Sequence, residues 1–112
     1  MILDIWAFVR VMVALEKRAE EPTCQALYSL WEQEWMEIDE RLTTLADSDF
    51  DAYADMMMHK QVKLELPPEQ AAAFQQVVKE LVADLRREKR ASKDRDFQKD
   101  LTFEIEGLAR LL

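Results

Sequence analysis

Glu34 and Glu37 stand three residues apart, with Glu32 and Glu40 beside them, so on a helix two carboxylates share one face. Paired carboxylates are the hard oxygen ligands that Mg²⁺ takes, and adjacent bundle helices can hold a metal that way. Asp51, Asp55 and His59 follow at i, i+4 and i+8, again on one face, where Asp55 and His59 could share a metal ion. Tyr28, Trp31 and Trp35 could stack a nucleobase or another flat ring. Each set also has a plainer explanation. The E-x-x-E pair lacks a matching E-x-x-D on the next helix, because Asp51 and Asp55 are four apart. The Asp51/Asp55/His59 face points away from the apolar stripe of its own helix, and one helix alone makes a poor metal site. The three aromatics fall at heptad spacing, which is core packing. Neither a metal nor another cofactor is expected.

Nucleophilic chemistry has little to work with. The chain has one cysteine, Cys24, one histidine, His59, and three serines, Ser29, Ser48 and Ser92, none in an elbow or triad context. A lone cysteine closes no intramolecular disulfide, and Cys24 lies on an apolar seam, which reads as a buried, inert thiol in a reducing cytoplasm.

Charge distribution is more informative. From Glu32 to Asp55 there are nine acids against one base, Arg41, a net −8 (1 − 9). From Arg86 to Arg95 there are six bases and two acids. The basic run could touch phosphate. It has no aromatic residue, Glu88 and Asp94 interrupt it, and the whole chain carries −8, which argues against nucleic acid as the partner. The acidic stretch would repel nucleic acid, attract a basic surface and speed association with it.

The elements that must position these residues are helices. A chain of 112 residues reads as a single domain, 1–112, and its 49% hydrophobic content is enough for one core. One glycine and three prolines leave too few turn residues for sheets, so the fold class is all-α, a compact bundle of four to five helices. Cys24, Tyr28, Trp31, Trp35, Ile38, Leu42 and Leu45 alternate 4 and 3 apart, a heptad seam on a second helix running from about Pro22 to Ala46. A first helix is expected over Leu3–Glu20. A third starts at Asp47-Ser48-Asp49 and ends before Pro67-Pro68, with Phe50, Ala54, Met57, Gln61 and Leu64 facing the core. On that phase Met57 faces the core squarely, with Met58 beside it and Met56 turned outward. A fourth helix opens at the prolines on Ala71, Phe74, Val78, Leu81 and Leu85, and a fifth carries Phe97, Leu101, Ile105, Leu108 and Leu112. The two run on as one or break at Ser92 or Asp94. Gly107 lies mid-helix, where a close helix crossing would justify it.

Twelve of the fourteen residues from Ile2 to Leu15 are apolar. Asp4 and Arg10 interrupt the run, no basic segment precedes it, and it is shorter than the ~18–20 residues of a membrane span. It reads as a helix buried on most sides, by its own chain or by a second copy in a homodimer. Three function classes remain. The first is a cytoplasmic interaction protein, such as an inhibitor, immunity protein or adaptor, that binds a basic partner through Glu34, Glu37, Glu40, Asp51 and Asp55. The second is a Mg²⁺-dependent helical-bundle nucleotide pyrophosphohydrolase using Glu34 and Glu37, and the third a nucleic-acid-binding subunit using residues 86–95. The first is preferred because it asks only for a bundle and surface charge.

Overall fold

A computed structural model describes all 112 residues as β1 (Ile2–Asp4), α1 (Ile5–Glu16), α2 (Pro22–Ser48), α3 (Phe50–His59), β2 (Gln61–Lys63), α4 (Pro68–Ala91) and α5 (Arg95–Ala109). The chain is 79% helical, in five packed helices. Helix boundaries follow the local chemistry. Pro22 and Pro68 sit in first turns, where their missing N–H costs nothing. The Asp49 carboxylate accepts from the Ala52 N–H at 3.2 Å and caps α3. The Asp94 carboxylate accepts from the Asp96 and Phe97 N–H groups at 2.9 and 3.3 Å, so α4 and α5 are separate helices.

α1 is the hub. Seven of its twelve residues are buried, and α2, α3, α4 and α5 of the same chain all pack on it. The cover that the apolar run demands therefore comes largely from within the chain. Around α1, Trp31 meets Phe8 and Phe74 edge-on at 6.3 and 5.9 Å, and Trp35 meets Phe8 at 6.0 Å. Trp31 is buried, while Trp35 and Ile38, also on the seam, are half-buried. On the other side the Arg10 fork grips the Glu104 carboxylate at 2.9–3.2 Å and ties α1 to α5. Gly107 faces Trp6: a Cβ there would lie 2.7 Å from Cζ2 and Cη2 of the indole. The crossing is too close for any other residue without a shift.

Two expectations are corrected. Ile2–Asp4 and Gln61–Lys63 are not helical ends but a two-stranded antiparallel ribbon, with Ile2 opposite Lys63, Leu3 opposite Val62 and Asp4 opposite Gln61. Main-chain bonds extend it at both ends, from the Leu64 N–H to the Met1 carbonyl (2.8 Å) and from the Ile5 N–H to the Lys60 carbonyl (3.0 Å). The ribbon buries Leu3 and Leu64 and leaves Ile2 outside. Because α3 ends at His59, Gln61 and Leu64 do not belong to its stripe, and the helix takes a different rotation. Met56, expected outside, is buried with Ile5 and Leu42; Met57 is half-buried. Met58 is 45% exposed, and Phe50 is 69% exposed, stacked on Tyr53.

Candidate functional site

The C-terminal half of α2, α3 and β2 enclose an open groove of about 520 Å³. Its apolar wall is Ile5, Ile38, Leu45, Met56 and Val62, and its polar lining is Glu34, Glu37, Arg41, Asp55, Lys60 and Gln61. Glu34 and Glu37 arrive from one face of α2, and the rotation of α3 that buries Met56 brings Asp55 round to meet them. Oε2 of Glu34 is shielded from solvent and has no hydrogen-bond partner. An unpaired, shielded carboxylate oxygen is costly to the fold.

Of the five acidic residues singled out in the sequence, three meet here. Glu40 lies on the outer face of α2, and Asp51 is exposed on α3 outside the groove. The helix expected to run on to Pro67 hid Lys60, Gln61 and Val62 from the sequence reading. With Arg41 and Lys60 opposing Glu34, Glu37 and Asp55, the groove itself carries only −1 (2 − 3).

The denser negative charge is on the outer face of α2. Glu32, Glu37, Asp39 and Glu40 surround Met36, which is 63% exposed. The molecule's ion pairs are Arg10–Glu104, Arg18–Glu80 and Arg87–Asp84, and none involves residues 32–55. The charge of that stretch is therefore not neutralised by pairing within the fold.

Other candidate chemistry is dispersed. No three His, Cys, Asp or Glu side chains converge closely enough to hold a metal ion, and this includes both Glu34/Glu37/Asp55 and Asp51/Asp55/His59. The Cys24 thiol is buried and donates to the Glu21 carboxylate at 3.1 Å; burial first, then that carboxylate, push its pKa up, so little thiolate forms. Burial likewise raises the Tyr28 phenol, with Glu16 and Glu32 adding to the shift. Across the molecule, Arg86, Lys89 and Arg90 of α4 face Gln98, Thr102, Ile105 and Glu106 in a second groove of about 480 Å³. No helix is long and apolar enough to cross a membrane. Comparison of the chain with protein-family models, curated proteins and solved structures finds no match.

Proposed function

We propose that this chain is a small protein–protein interaction module, an inhibitor, immunity protein or adaptor, that docks a basic partner on the acidic side of α2. The observation that carries the reading is the absence of any internal ion pair across nine carboxylates between Glu32 and Asp55. Exposed Met36 supplies an apolar contact at the centre of the charge, and the groove beside it offers the exposed Glu37 and Asp55 carboxylates to a lysine or arginine of the partner. Glu34, Glu37 and Glu40 form the main contact, with Asp55 across the groove and Asp51 at the rim. A cytoplasmic setting is part of the reading, since the one thiol is reduced and buried.

Complementary charge of this kind acts mainly on the association rate. The test uses a fluorescent Lys/Leu amphipathic helical peptide as probe in stopped-flow anisotropy. Association should slow as NaCl rises from 0.05 to 0.5 M. The E37K/E40K variant should slow it roughly tenfold at 0.05 M NaCl, well within the span of electrostatic steering. Reversing two acids on α5, D96K/D100K, should change it less than about twofold at that salt, a control for overall charge. Equal effects from both pairs would reduce the acidic face to a solubility surface.

A further inference from the structure

The fold leaves its two charge blocks unpaired. α5 touches neither α2 nor α3, and although α4 packs on α2, as where Phe74 meets Trp31, no ion pair joins residues 86–95 to residues 32–55. The N-terminal end of α1 lies under the acidic side, where Ile5 packs with Leu42 and Met56. From Arg10 to its C-cap Lys17 it runs beside Leu81, Leu85 and Glu88, at the start of the basic stretch. Among the six bases from Arg86 to Arg95 only Arg87 is ion-paired, with Asp84, so Arg86, Lys89 and Arg90 stay free in their groove. One molecule thus presents a bare acidic surface and, elsewhere, a bare basic one, and no ion pair within the fold joins them.

We infer that a second copy of this chain is an occupant of the acidic α2 face, seated through the basic α4–α5 groove. This rests on the reading that the acidic face is a docking surface, and the partner's matching chemistry is the chain's own Arg86, Lys89 and Arg90. The overall charge of −8 opposes association at long range. In 0.15 M salt, however, the Debye length of ~8 Å is far shorter than the smallest molecular dimension, 23 Å. Repulsion between whole molecules is screened, and opposite charges in direct contact are screened much less. A contact between unlike patches is heterologous: unless it closes into a ring, each end keeps one free patch and mass grows past the dimer.

Sedimentation velocity over a concentration series tests this, with three variants. In 0.15 M NaCl the wild-type weight-average mass should rise above 13.2 kDa with concentration, and return to that value in 1 M NaCl. E37K/E40K alone and R86E/R90E alone should each stay at 13.2 kDa. The combined four-residue variant, with both charges exchanged, should associate again. A wild type that stays monomeric, or variants that all associate alike, would overturn the inference. If the wild type is monomeric but the basic peptide still binds with its dependence on Glu37 and Glu40, the docking reading stands and only self-association fails. If neither occurs, both fail.

Discussion

Replacing Trp31 with phenylalanine removes a specific set of contacts. The indole is 1% exposed, wedged between Phe8 and Phe74, and its Nε1–H donates to the Glu65 carbonyl at 2.7 Å. That hydrogen bond fixes the extended stretch between β2 and α4 against α2, and its loss should cost about 1 kcal/mol. Phenylalanine also leaves unfilled the space of roughly three ring atoms, for which lost transfer and the residual void together give about 1–2 kcal/mol. W31F should therefore lose about 2–3 kcal/mol. W31A should lose about 4–6 kcal/mol, the upper range for a buried tryptophan plus the hydrogen bond. Domains of this size have about 5–15 kcal/mol in total, so W31A stands close to unfolding and W31F is the variant to quantify. Urea titration followed by circular dichroism gives both values, with the slope checked for constancy. W35F is the internal comparison: half-buried and touching Phe8 only at its edge, it should lose about 0.5–1.5 kcal/mol. If W31F costs no more than W35F, the Phe8–Trp31–Phe74 cluster is not the centre of the core and the reasoning is wrong.

Three further outcomes follow from the packing. Gly107→Ala gains up to about 1 kcal/mol of helix propensity but drives a methyl into the Trp6 ring, so it should be neutral to about 2 kcal/mol destabilising, and Gly107→Leu clearly worse; a stabilised G107A in urea titration would show that Trp6 moves freely. Asp94→Ala removes the acceptor for two N–H groups and should cost about 1 kcal/mol, read as a fall of roughly 4 °C in Tm by calorimetry. Because the folded Cys24 thiol has a raised pKa, its contribution to stability is complete below the ordinary thiol value of about 8.5 and is lost as pH rises through the folded value. Disulfide-reagent titration at pH 8 should accordingly be at least tenfold slower in buffer than in urea, and equal rates would mean that the thiol is exposed.

The bundle was legible because its signals are local. The seam from Cys24 to Leu45 needs only the period of one helix, and the caps at Asp49 and Asp94 need only their next few residues. The ribbon was half legible. Gln61-Val62-Lys63-Leu64-Glu65-Leu66 alternates polar and apolar strictly, a strand pattern that the helix reading passed over. Its partner could not be read, since Ile2–Asp4 lies about sixty positions away and resembles the start of an apolar helix. That omission propagated: extending α3 to Leu64 set the wrong rotation, which misplaced Met56 and concealed the groove that Asp55 shares with Glu34 and Glu37. That the two charge blocks form no ion pair with each other is likewise a property of tertiary arrangement and not of either segment.

The position of α1 has a consequence for how the chain is made. It is synthesised before the other helices of the fold, yet its partners come from everywhere: the ribbon closes about sixty residues later, and Arg10 waits for Glu104, 94 positions on. At ribosomal rates of about 5–20 residues per second, the Arg10 side of α1 waits roughly 5–20 s for α5, although α2, α3 and α4 reach the helix sooner. Such long-range closure slows folding relative to an up-and-down bundle of the same size. It also ties the domain into one cooperative unit, since the neighbours of α1 are drawn from α2 through α5. Amide protons of α1 should then exchange only through global opening, while those in the last turn of α5 exchange by local fraying.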